Sequence, residues 1–442
     1  MKKIRIIVTL LMILLIGGGW SSGILGLFGK SRLVEMNEYE QYMNIASDYM
    51  DRGLYQLAIQ QYEKALSIDN SLSLQNAILD AYQLRADETG DISDEYINAA
   101  IFASQSFPTD EDLAYRMASL LMGENDYYKA YKQIMRLMDS GLTSEKINSL
   151  LNEIRYSYTL SSHAYTNVRG LTNKLYAVEK GGQWGFMQSN GDVYSECHLE
   201  NAYSCGEKMF RLQYDGKKTR MLDDNDVVQG IFNMVPEKAG VYSEGLIPIC
   251  VNGKYGFYNS LGDYQFGEFD YAGAFQKGIA AVKNGDDWFL IDKNGNPVSG
   301  QTYRDIKLNQ EGKCFVDDLF LADRGDGYNL YDKEENLSCQ MNLEETDIFT
   351  KDKIIAFKKD GKWGFINTEG EILLEPKYAM AKSYSKGVAA VCIDGKWGYI
   401  NKDGDIVIDT QFNAADYMND AGGCFVLDAG GDWRFLKLRI SF

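Results

Sequence analysis

A single period governs the larger part of this chain. Trp184, Lys218, Tyr255, Trp288, Tyr328, Trp363, Trp397 and Trp433 follow one another at intervals of 33 to 40 residues. Seven residues beyond the first seven of these markers stand Gly191, Asn225, Gly262, Gly295, Glu335, Gly370 and Gly404. Register kept across eight units signals internal duplication, in which each unit is one small module completed by its neighbours.

The fullest copies are Asp360-Gly361-Lys362-Trp363-Gly364-Phe365-Ile366-Asn367 and Asp394-Gly395-Lys396-Trp397-Gly398-Tyr399-Ile400-Asn401. Residues 388–393, 397–401 and 405–408 read as strands joined at Asp394-Gly395 and Asp403-Gly404, both hairpin signals. Ala389, Val391 and Ile393 alternate with Ala390 and Cys392, so both strand faces are apolar. Sheets patterned this way must be covered on both sides. Stacked or radially arranged sheets satisfy that requirement. The segment from Arg155 to Gly170 looks like the missing half of the last unit, so a closed ring of eight blades is favoured over an open β-solenoid. These copies resemble the WG repeat family of bacterial proteins, over residues 156–442. Trp-Gly stands at 184, 363 and 397, and Tyr255-Gly256 is a near match. Trp288-Phe289, Tyr328-Asn329, Trp433-Arg434 and Lys218-Thr219 depart from the motif. Trp363 and Phe365 share a strand face with Ile366 on the other, which makes these rings core rather than sugar platforms.

Residues 31–155 carry a different pattern. Tyr42, Ile45, Ala46, Tyr49, Gly53, Tyr55, Ala58, Ile59, Tyr62, Ala65 and Leu66 recur at helical spacing. The stretch closely resembles a tetratricopeptide repeat, in which Ala58 and Ala65 let two antiparallel helices approach and Tyr49 and Tyr62 fill the space between them. Weaker copies run through Tyr82, Ala100, Ala103 and Pro108, and through Leu121, Asn125, Tyr127, Ala130, Ile134 and Leu137. Residues 144–155 read as a closing helix. The resemblance implies a peptide groove presenting Met43, Ser47, Met50, Asn76, Asp80, Tyr115, Ser119 and Met122. Met43 and Ser47 stand where a carboxylate clamp needs Lys and Asn, so a C-terminal carboxylate is not the expected ligand. A spacer or dimer surface is the other reading. The fold expected is multidomain, helical repeats first and an all-β repeat domain after them.

Lys2, Lys3 and Arg5 precede an uncharged run from Ile6 to Phe28. As a helix, 23 residues reach about 34 Å, enough for a bilayer core. Residues 1–30 are therefore expected to be an uncleaved single-pass anchor, with the body outside a bacterial cell. A cleaved signal peptide is the alternative. Seven cysteines cannot all pair, and Cys250, Cys314, Cys392 and Cys424 lie in apolar runs suited to burial.

Composition trims the chemistry. His163 and His198 are the only histidines, which excludes three-histidine zinc and two-histidine iron sites. A net charge of −18 repels a phosphate backbone, so nucleic acid is not expected as a partner. Asp292-x-Asn294-x-Asn296 alternates like a calcium loop but lacks the bidentate Glu, and Asp/Asn turns serve hairpins anyway. No catalytic, cofactor or metal residue is assigned. The expected function is a non-catalytic, membrane-anchored scaffold that binds a protein or peptide partner. A cell-wall polysaccharide module is second, and a propeller hydrolase third.

Overall fold

The computed structural model describes residues 21–440. Two compact units divide the chain, Met1–Ile154 and Arg155–Phe442. The anchor expected at residues 1–30 lies mostly outside the described residues. Among those described, no helix is long and apolar enough to cross a membrane.

The first unit comprises seven helices among the described residues: α1 Ser21–Asp51, α2 Tyr55–Leu66, α3 Leu72–Thr89, α4 Asp94–Ser106, α5 Glu111–Gly123, α6 Tyr127–Asp139 and α7 Glu145–Tyr156. Side-chain oxygens start five of them, where Ser71, Ser93, Asp110, Asp126 and Ser144 each accept the N–H three residues on. Gly90 ends α3 with φ +72°, a left-handed cap. Ala58 and Ala65 are fully buried and Tyr62 nearly so, while Tyr49 stays half-exposed. Tyr82 stacks on Tyr96 at 5.5 Å between ring centroids. α1 runs unbroken across residue 30, so Gly23, Gly26 and Gly29 do not interrupt it.

The second unit is an eight-bladed β-propeller. Seven blades are built from residues 167–199, 201–232, 238–269, 271–291, 305–343, 345–378 and 380–412, in chain order. Blade 7 shows the plan: Met380–Ala381 innermost, then Ala389–Ile393, Lys396–Ile400 and Ile406–Phe412 outermost, all antiparallel. Residues 389–392 are buried on both strand faces, as the doubled apolar pattern requires. The outermost strand is longer than its apolar residues alone suggested.

Blade 8 closes the ring with a borrowed strand. Ala414–Ala415, Gly423–Leu427 and Trp433–Leu438 pair in order, and Tyr158–Leu160 adds the outer strand through Tyr158↔Leu438, Thr159↔Lys437 and Leu160↔Leu436. Tyr165 then bridges Trp433, which matches the Trp363↔Tyr378 and Trp397↔Phe412 registers of blades 6 and 7. Asn167 to Gly170 instead opens blade 1. Across the seam Tyr165, Tyr176, Phe425 and Phe435 form one cluster. The open solenoid is set aside.

The Trp-Gly pair has a backbone cause. Between Trp363↔Tyr378 and Phe365↔Leu374, the third strand has one residue, Gly364, and the fourth has three. The fourth strand therefore bulges over the glycine. A Cβ on Gly364 would lie 2.6 Å from Leu374 O, and one on Gly398 2.4 Å from Ile408 O. Departures from the motif follow the same geometry. Asn329 replaces the glycine in blade 5, is wholly buried, and accepts the bulge N–H groups of Met341 and Asn342 at 2.6 and 2.8 Å. Phe289 replaces it in blade 4, which has only three strands. Arg434 replaces it in blade 8, where residues 161–164 loop past it and Ser161 O accepts from its guanidinium at 3.2 Å.

The repeated Gly seven residues on serves a hairpin. Gly404 has φ +85°, and Asn401 Oδ1 accepts from Asp403 N–H and Asp405 N–H at 3.0 and 2.9 Å. Asp292 does the same for Asn294 and Asn296, so this carboxylate works as a turn acceptor.

Candidate functional site

At one end of the channel, the segments leading into the second strands of the blades surround a recess of about 880 Å³. Blades 1, 4, 5, 6, 7 and 8 line it. Lys174, Lys277, Lys313, Lys351 and Lys386 alternate with Glu311, Asp317, Asp352 and Asp420, and Leu171, Phe315, Phe349 and Met418 stand between them. In a chain of net charge −18, this lining carries one more lysine than carboxylates.

These side chains are mostly committed to one another. A belt of polar contacts joins all eight blade junctions. Asn173 Nδ2 donates to Gly206 O at 2.9 Å, and Ser243 Oγ to Glu207 at 3.3 Å. Gly278 N–H donates to Glu244 at 3.0 Å, Lys277 pairs with Asp318 at 2.7 Å, and Lys353 with Asp317 at 2.6 Å. Asp352 accepts from Lys386 N–H and Gly387 N–H at 3.1 and 2.7 Å, and Lys386 Nζ pairs with Asp420 at 2.7 Å. Asn419 Nδ2 completes the circle on Tyr176 and Ser189 O, at 3.0 and 2.9 Å. The ion pairs are half-exposed to exposed, so each contributes little energy. Their geometry fixes how the mouth is laid out.

Deeper in the channel, the Tyr417 hydroxyl donates to both Asp347 oxygens at 2.7 and 2.6 Å. Burial, and then Asp347, pushes this phenol far above its usual range. The Lys382 ammonium lies 3.2 Å from Asp416 and over the Tyr417 ring.

The belt has a pH signature. Lys277 holds the Asp318 carboxyl below its ordinary range, and Lys386 does the same for Asp420. Carboxyls depressed in the folded state add stability above the unfolded value of about 3.9, and that stability is lost as pH falls through the folded values. Melting temperature should therefore hold from neutral pH to about 5 and drop below about 4. An Asp318→Asn, Asp420→Asn chain should lose less over that acid range; parallel acid curves for the two proteins contradict the belt.

The eight groove residues sit on three helices: Met43, Ser47 and Met50 on α1, Asn76 and Asp80 on α3, and Tyr115, Ser119 and Met122 on α5. All are half-exposed or exposed. Asp80 pairs with Arg116 at 2.7 Å, and Lys146 lies 5.2 Å over the Tyr115 ring. Among the tryptophans, Trp184 and Trp363 are buried, while Trp288, Trp397 and Trp433 are half-buried. Trp184 also carries the Arg169 guanidinium at 3.8 Å. At 184 and 363 the Trp-Gly motif therefore builds core. His163 and His198 are exposed turn and strand residues, bonded to Ser161 and to Glu196 O.

The belt was not read from the sequence, although a signal existed. Eleven residues before the first seven markers stand Asn173, Glu207, Glu244, Lys277, Asp317, Asp352 and Lys386. Each is polar, and each is a member of the belt.

Three segments, 255–288, 363–397 and 397–422, match the family described as WG containing repeat. No curated protein matches the chain. Among solved structures it is similar to Kluyveromyces lactis Hsv2p, at 10% identity and TM-score 0.36, over 54% of this chain and 95% of that one. A eukaryotic initiation factor aligns at 10% identity and TM-score 0.41, over 65% and 88%. The Neurospora crassa Pan2 WD40 domain aligns at 9% identity and TM-score 0.33, over 55% and 90%.

Proposed function

We propose that this chain is a non-catalytic interaction protein, tethered to a membrane by its first 30 residues, whose propeller mouth docks a protein partner. The observation that carries the reading is the recess, walled by six blades, with apolar side chains set between lysines and carboxylates. That mixture suits a protein-binding surface, with an apolar centre and polar groups that fix orientation. Its carboxylates are held by lysines or backbone N–H groups, an arrangement that favours orienting a partner over moving a proton. In the same reading the helix pairs are tetratricopeptide-like hairpins. The apolar run 6–28 spans the bilayer with the body outside the cell.

The test uses the full chain in membranes. It should remain in the pellet after an alkaline wash, and Leu11→Arg with Leu14→Arg should release it. Crosslinking before extraction should capture a defined partner. Lys174→Glu with Lys351→Glu should lower that capture at least tenfold without moving the melting temperature. Undiminished capture by this variant, with capture lost instead in Met43→Glu or Tyr115→Ala, would move the docking surface to the helices.

A further inference from the structure

One blade breaks the spacing of the others at the mouth. In blades 3, 4, 6, 7 and 8, seven residues lead from the innermost strand to the second: 240–246, 273–279, 347–353, 382–388 and 416–422. Blade 5 uses twelve, 307–318. Ring closure does not need the five extra residues, since five blades manage without them. They make a built loop in the recess. Asn309 Oδ1 accepts from Glu311 N–H and Lys313 N–H at 2.9 and 3.1 Å, and Gly312 O accepts from Ala274 N–H of blade 4 at 2.8 Å.

The tip of this loop crosses the channel. Gln310 Nε2 donates to Asp416 Oδ1 at 3.0 Å, three blades further round the ring. The same oxygen accepts from Tyr417 N–H at 2.8 Å and lies 3.2 Å from Lys382 Nζ. Gln310 itself is exposed, so a single hydrogen bond at the water edge holds its side chain across the channel. The chain thus supplies both a carboxylate receptor and a carboxamide that occupies it.

We infer that the channel mouth receives a glutamine or asparagine side chain carried on a short loop of the partner, and that residues 308–313 are a resident stand-in which that loop displaces. The inference rests on reading the recess as the docking surface. The charges select an uncharged donor. An incoming ammonium or guanidinium would meet Lys382 already seated on Asp416, and the four rim lysines outside the displaced loop, Lys174, Lys277, Lys351 and Lys386. A carboxamide offers the same N–H without that repulsion.

The probe is the acetylated, amidated peptide Leu-Asn-Gln-Glu-Gly-Lys, which repeats residues 308–313, titrated by calorimetry into the full chain. A variant lacking residues 309–313, whose inner segment then has seven residues, should bind it at least tenfold more tightly than the unaltered chain. Replacing the peptide's Gln by Ala should abolish that gain. Equal affinity for both chains, indifference to the Gln→Ala change, or no binding to a shortened chain that still melts cooperatively overturns the inference. Should the shortened chain fail to fold, Gln310→Ala in the intact loop serves instead: at least threefold tighter binding supports the stand-in, and unchanged affinity rejects it. Partner capture still lost in Lys174→Glu, Lys351→Glu while the peptide arms fail rejects the stand-in and leaves the recess as the docking surface.

Discussion

Gly398→Ala is expected to lower the stability of the propeller by about 3 kcal/mol, the upper end of ordinary overpacking. The added methyl would sit 2.4 Å from Ile408 O and 2.8 Å from Asp409 C and O. All are backbone atoms of the bulged outer strand, so no side chain can swing aside. Relief requires that strand to leave its register with Trp397 and Tyr399. For a unit of this size the loss corresponds to a fall in melting temperature of roughly 5 °C. Gly300→Ala is the control, because nothing lies within 4 Å of its added methyl. Its effect should stay within about 0.5 kcal/mol. Thermal melts of the two full-length variants decide the matter: matching melting temperatures reject the bulge as the reason for Trp-Gly.

A larger loss is expected from Tyr158→Ala combined with Tyr165→Ala. Tyr165 is buried at the seam against Phe425, with ring centroids 6.1 Å apart, and its backbone bridges Trp433. Tyr158 packs on the Phe412 edge and accepts from Gln411 at 2.9 Å. Truncating a buried aromatic costs about 3–5 kcal/mol, and the pair together on the order of 6 kcal/mol. That approaches the whole stability of a typical domain, about 5–15 kcal/mol. The freed outer edge of Trp433–Leu438 then becomes a template for another chain. Sedimentation should show concentration-dependent oligomers in the double variant, and a similarly buried change away from the seam, Phe232→Ala, should not produce them. A monomeric, cooperatively melting double variant would show that the borrowed strand is dispensable.

Much of the fold was legible because it is periodic. Eight markers fell one to a blade on or beside the third strands, and the half-unit before Val178 supplied the missing outer strand. Apolar residues on both strand faces announced sheets covered on both sides. The reason for Trp-Gly was not legible, because it lies in a contact between backbone atoms of strands about ten residues apart. Periodicity reports where a glycine recurs and carries no distance to Ile408 O. The site was less visible still. Its belt is made by side chains of either sign, so Glu244, Lys277 and Asp317 look unrelated until the fold sets them on adjacent blades. The twelve-residue segment in blade 5 was present as the long interval between Trp288 and Tyr328, but length alone does not say where a loop points.

The borrowed strand also imposes an order in time. Leu160 is synthesised 276 residues before its partner Leu436. At about 5 to 20 residues per second, the two are separated by roughly 14 to 55 s. Throughout that interval Tyr158 and Tyr165 have no seam to enter, while seven blades assemble beside them. Closure is therefore the last event of a long nascent life. Any chaperone that serves this protein must keep an early strand single until the final blade emerges.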